Sequence, residues 1–129
     1  MQQKPDLILF TGDLVNNEAV EMDELASVFS TLNAPMGVFS ILGNHDYGDY
    51  KQWGSAAKKA TNLSNLKDVH RNMGWRLLLN EHVVLEKDNE TIALIGVENW
   101  GGCFAGIVDF GVVCSKLLTS IHKSIYSNF

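Results

Sequence analysis

Two stretches decide how this chain folds. The first is Leu7-Ile8-Leu9-Phe10-Thr11-Gly12-Asp13, and the second is Gly37-Val38-Phe39-Ser40-Ile41-Leu42-Gly43-Asn44-His45-Asp46. Each is a short, mostly apolar run that ends at a glycine and passes directly into polar residues. Runs of this length, bounded by turn-forming residues, read as strands buried on both faces, the kind found in parallel sheets. The residues between them carry a helical pattern. Met22, Leu25, Ala26, Phe29 and Leu32 recur at helical spacing as one apolar stripe. Asn16 or Asn17 is placed to cap that helix, and Glu18, Glu21, Asp23 and Glu24 put negative charge in its first turns. Asn33-Ala34-Pro35 ends it, because the residue before a proline resists helical geometry. Strand, helix, strand predicts a βαβ unit with parallel strands and a right-handed crossover.

Beyond this unit, a second helix is expected from about Trp53 to Met73. Leu63, Leu66, Val69, His70 and Met73 share one face, and Gly74 sits where a helix-ending glycine belongs. Leu77-Leu78-Leu79 reads as a strand. Val83-Val84-Leu85 and Thr91 to Val97 flank Asp88-Asn89-Glu90 and read as a hairpin with a short polar turn. The composition changes after Gly102. Residues 103–129 hold both cysteines, Cys103 and Cys114, and lack Glu, Arg, Gln and Pro; their apolar residues follow neither a helical nor a strand period. The two cysteines form no CxxC pair and no disulfide framework, and they read as small apolar residues.

At 129 residues the chain is one domain or part of one. Its apolar fraction of 46% and mean hydropathy of −0.01 are those of a globular domain rather than a disordered one. A net charge of −5 with no cluster of Lys or Arg lacks the electrostatic footprint of a nucleic-acid binder or of a protein that docks on anionic membranes. The acidic excess suits a soluble domain that binds cations. The most apolar stretch, Phe104 to Ile121, is interrupted by Asp109 and Lys116, so no membrane-spanning segment is expected.

The chemistry gathers at the two glycine turns. Ligands of open α/β sheets collect beyond the carboxyl ends of the strands, and one crossover brings Asp13 and Asn44-His45-Asp46 to the same sheet edge. A carboxylate can bridge two divalent cations, and an asparagine oxygen is a neutral ligand for a hard or borderline metal. A histidine beside them can protonate a leaving oxygen or stabilise charge on a phosphoryl group, and a neighbouring aspartate can set its tautomer.

Pro5 to Val15 and Gly43-Asn44-His45-Asp46 resemble the second and third sequence blocks of the calcineurin-like metallophosphoesterases. The resemblance continues through Gly74-Trp75, Asn80-Glu81-His82 and Ile95 to Gly101 and covers residues 4–101. It implies an α/β fold, a partial form of the family's layered sandwich with a βαβ unit, a helix and a β-hairpin. It implies a metal-dependent hydrolase of phosphate mono- or diesters, with Asp13 and Asn44 as metal ligands. His45 would act at the phosphate, and Asp46 would support His45. The implied cofactors are two divalent metal ions, with Mn, Fe and Zn all open, and the implied partner is a phosphoester substrate. The family's opening Asp-x-His block has no counterpart before Asp13, and Ser120-Ile121-His122-Lys123 does not match its closing Gly-His-x-His. The expectation is therefore a truncated domain over 1–102, with an unmatched tail over 103–129 and an exposed sheet edge where a first strand would sit. The alternatives are a catalytically dead metal-binding remnant and an interaction scaffold on the same fold.

Several other residues read as structural. Tyr47 and Tyr50 are expected to pack against the second helix rather than to line a pocket. His70 reads as a packing residue, His82 and His122 carry no role, and Glu98-Asn99-Trp100 reads as the end of the hairpin.

Overall fold

A computed structural model describes residues 3–99 and the backbone of residues 118–119. The βαβ unit is present. Strand β1 (Ile8–Phe10) pairs in parallel with β2 (Val38–Ser40), in the register Ile8 to Val38, Leu9 to Phe39 and Phe10 to Ser40. β2 in turn pairs in parallel with β3 (Arg76–Leu77). A second sheet holds the antiparallel hairpin of β4 (Glu81–Lys87) and β5 (Glu90–Gly96). Its turn residues, Asp88 and Asn89, both have positive φ, which these two residue types tolerate and tight hairpin turns demand. The expected tail lies outside the described residues except for β6 (Leu118–Thr119), which adds to the open side of β5. Among the described residues, no helix is long and apolar enough to cross a membrane.

The central strand explains the layering. Successive side chains of β2 point to opposite faces, so Val38 enters one core and Phe39 another. On one face Val15, Met22, Val38, Leu42, Leu66, Met73 and Trp75 pack the sheet against the helical layer. On the other face Phe39, Ile41 and Leu78 pack against Val83 and Leu94 of the hairpin. Phe39 is 7% exposed, and burial of such a side chain stabilises by roughly 1.5–3 kcal/mol. The chain is thus three layers deep: helices, parallel sheet and hairpin sheet.

β1 departs from expectation. It is not buried on both faces, and Leu9 is 38% exposed. The reason is its place in the sheet. Among the described residues β1 has a neighbour on one side only, and the hairpin covers β2 and β3 rather than the edge. Among the described residues β1 is thus an edge strand.

The first helix is also shorter than its stripe suggests. Ala19–Met22 is a 3-10 turn, and α1 covers only Ala26–Phe29. Met22 is buried, whereas Leu25 and Leu32 are 48% and 41% exposed. The cause lies at the start of the segment. Glu18, not Asn16 or Asn17, is the N-cap residue. The Glu21 carboxylate folds back to accept from the backbone N–H groups of Asn16, Asn17 and Glu18 at 2.9, 3.0 and 2.8 Å. This winds the first turn tightly. A 3-10 turn advances each side chain further round the axis than an α-turn, so the stripe falls out of phase beyond Met22.

The second helix, α2 (Ala56–Asn72), begins three residues later than expected, where the Ser55 hydroxyl accepts from the Lys58 N–H at 3.2 Å. Its inward face is the expected one, with Leu66 and His70 fully buried. His70 Nδ1 lies 2.9 Å from the Ser40 hydroxyl at the end of β2. Burial holds the His70 pKa down at about 4.

Candidate functional site

The loops after β1 and β2 meet at the carboxyl edge of the parallel sheet, as the crossover requires. Their approach is close enough that neither Gly12 nor Gly43 has room for a side chain. A Cβ on Gly12 would lie 2.5 Å from the Gly43 nitrogen, and one on Gly43 would collide with the Asp13 carboxylate. Gly12 also has φ of 102°, where other residues are strained.

Asp46 locks the two loops together. Its carboxylate accepts from Gly43 N at 2.8 Å within its own loop, and from Asp13 N at 2.9 Å and Val15 N at 3.1 Å across the gap. The side chain is wholly buried. Burial raises its pKa above the ordinary carboxylate value, against the lowering effect of these backbone bonds. This corrects the expectation that Asp46 holds the His45 ring. His45 Nδ1 lies instead 2.9 Å from the Asn16 carbonyl oxygen. The oxygens of Asp46 are spent on backbone N–H groups, a stronger demand in the interior than a tautomer lock at the surface.

Asp13 has the opposite character. It is exposed, with a left-handed backbone at φ 57°. Its Oδ1 accepts from the His45 backbone N–H at 3.0 Å, which ties the two loops at this point. Asn44 is half-buried and donates through Nδ2 to the Tyr50 hydroxyl at 2.8 Å. The Tyr50 ring stacks on His45, with centroids 4.6 Å apart and planes 29° apart. Tyr50 is 48% exposed, so the expectation that it packs on the second helix is overturned. Tyr47 does pack against the helical core, and its hydroxyl donates to Glu98 at 3.3 Å. Burial, reinforced by the Glu98 charge, pushes its pKa up to about 12.

An open cleft bordered by Asp13, Asn16, Glu21 and His45 leads to this junction. Reading the sequence missed Glu21 as part of that wall. Three backbone N–H groups and the Asn16 amide hold it ionised: although burial pushes the other way, its pKa falls to about 2. The signal was a glutamate three residues into a helix start, which also reads as an ordinary capping residue.

Asp13 and Asn44 offer carboxylate and amide oxygens, which suit a hard or borderline divalent ion. No group of three His, Cys, Asp or Glu side chains converges on one point among the described residues. The donor types suit a divalent ion, and the described residues do not by themselves make a complete ligand set.

The fold is that of an α/β domain whose two glycine turns meet at the carboxyl edge of a parallel sheet. The family model of calcineurin-like phosphoesterases matches residues 1–107, and the chain belongs to that family. It is 32% identical over 101 residues to a metallophosphoesterase of Aquifex aeolicus, covering 78% of this chain and 33% of that protein. It is 32% identical over 110 residues to the metallophosphoesterase YkuE of Bacillus subtilis, covering 84% of this chain and 37% of that protein. A shorter match, 47% over 47 residues, joins it to the UDP-2,3-diacylglucosamine pyrophosphatase LpxG of Chlamydia muridarum, covering 36% of this chain and 14% of that protein. The chain thus spans about a third of the length of the first two relatives. No solved structure matches it.

Proposed function

We propose that this chain carries one half of a metal-dependent phosphoesterase site. Asp13 and Asn44 act as metal ligands, and His45 acts at the phosphate. The single observation that carries this reading is the junction itself. Asp13 Oδ1 accepts the His45 backbone N–H, and Asp13 and His45, from two separate loops, border one cleft, with Asn44 beside His45 in the chain. Two divalent ions, when bound, would polarise the phosphoester and neutralise its charge. The ring of His45 is anchored through Nδ1 at the Asn16 carbonyl, which leaves Nε2 to hold or deliver a proton at the leaving oxygen. Asp46 contributes by fixing the separation of the two loops.

The substrate class is a phosphate mono- or diester. The pyrophosphatase named among the relatives extends that class to a diphosphate linkage. The remaining ligands of a complete site belong to parts of a phosphoesterase domain outside the described residues.

The test is elemental analysis of the 129-residue chain after loading with Mn2+, together with turnover of an aryl phosphate diester. Bound metal with turnover that disappears in His45→Ala supports the reading. Metal without turnover would instead give the non-catalytic remnant, and neither metal nor turnover would give the interaction scaffold.

A further inference from the structure

We propose that Tyr50 is a positioning residue that orients Asn44 and His45 together. This rests on the metal-site reading above and adds a residue to it. The phenol oxygen takes the Nδ2 hydrogen of Asn44 at 2.8 Å. An amide has one donor end and one acceptor end, so engaging Nδ2 decides which way Oδ1 points. A cation needs the oxygen end. The same ring lies over the His45 imidazole at 4.6 Å, nearly parallel to it, while the Asn16 carbonyl holds His45 Nδ1 from another side. The imidazole is thereby held at one face by Tyr50 and at one edge by backbone.

One side chain controls two neighbours by two different forces, and the forces can be removed separately. The hydroxyl acts on Asn44, and the ring acts on His45. Partners that orient a metal ligand from outside the metal's own contacts typically contribute roughly 10–100-fold to metal affinity. A tyrosine that merely filled surface space would show no such division.

The experiment uses the 129-residue chain and its Tyr50→Phe and Tyr50→Leu variants, each observed by NMR and titrated with Mn2+ alone. Tyr50→Phe should strip exchange protection from the Asn44 side-chain amide, leave the His45 ring shifts in place, and weaken Mn2+ broadening at Asn44 by roughly tenfold. Tyr50→Leu should also abolish the ring-current shift of His45. A Tyr50→Phe chain whose Asn44 amide and Mn2+ titration match the wild type overturns the proposal. If Mn2+ leaves the wild-type Asn44 signal untouched, the metal-site reading itself fails and takes the proposal with it. Both variants sit at an exposed position, so circular dichroism matching the wild type separates these outcomes from misfolding.

Discussion

The loop after β1 and the loop after β2 begin alike, with a strand, a glycine and then an aspartate close behind, yet they divide the work unequally. The β2 loop sends Asp46 into the interior, where three backbone N–H groups consume its oxygens. The β1 loop turns Asp13 outward, with one bond from His45 N. The platforms beneath them differ in the same sense. All three residues of β2 are buried, whereas β1 is half-exposed at the sheet edge. The lesson is that one aspartate builds the junction so that the other can be used at it.

The largest expected effect follows from that division. Asp46→Ala strips acceptors from three N–H groups at the centre of the junction, each worth about 1–3 kcal/mol if left unmet. The expected loss is at least about 3 kcal/mol in a urea melt. Asp46→Asn should also be costly, because a carboxamide presents a donor to N–H groups that need an acceptor. A melt for Asp46→Ala within experimental error of the wild type would erase the contrast between the two loops.

The β2 side should also be the first to respond to mild acid. His70 sits under the end of β2 with its pKa held near 4, against an ordinary value of 6.5. The unfolded chain takes up that proton first. The contribution is therefore complete above about pH 6.5 and is lost as the pH falls toward 4, amounting to roughly 3 kcal/mol at the limit. Melts repeated between pH 7 and 4.5 should show the decline in the wild type and a flatter profile in His70→Leu. Equal slopes in the two would remove His70 from the account.

Much of this was legible in the sequence, and the reasons are physical. A glycine turn after a buried-type strand can be read directly, and so can the crossover that brings two such turns to one edge. The meeting of Asp13 with the His45 backbone at that edge follows from it. The first helix was misread because periodicity assumes constant winding, and the folded-back Glu21 carboxylate changes the winding within one turn. The part of Asp46 was misread because chain proximity suggested His45. Two of its three partners, Asp13 and Val15, lie more than thirty positions away and come close only in the folded chain. Tyr50 was misread for a similar reason, since an aromatic six residues beyond Asn44 carries no mark of which surface it will cover.

A smaller effect is expected on the β1 side. Glu21→Gln replaces an ionised acceptor with a neutral one under the N–H groups of Asn16, Asn17 and Glu18. The expected cost is about 1 kcal/mol at neutral pH. Because the Glu21 pKa is lowered from 4.5 to about 2, its contribution is present above about pH 4.5 and lost as the pH falls toward 2. The difference between wild type and Glu21→Gln should therefore shrink across that range. A difference that stays constant with pH would mean that the charge is not what holds the turn.

The smallest effect on stability sharpens the comparison most. In Asp13→Asn the side-chain oxygen can still accept from His45 N, and asparagine tolerates the left-handed backbone found there. The melt should stay within about 0.5 kcal/mol of the wild type. Removing the only carboxylate charge among the proposed ligands should nevertheless lower Mn2+ affinity, since a hard cation prefers an anionic oxygen to a neutral one. Titration by calorimetry beside a urea melt reads both quantities on one sample. A variant that loses stability but keeps its metal would place Asp13 with Asp46 as a building residue, and the division between the two loops would then have to be abandoned.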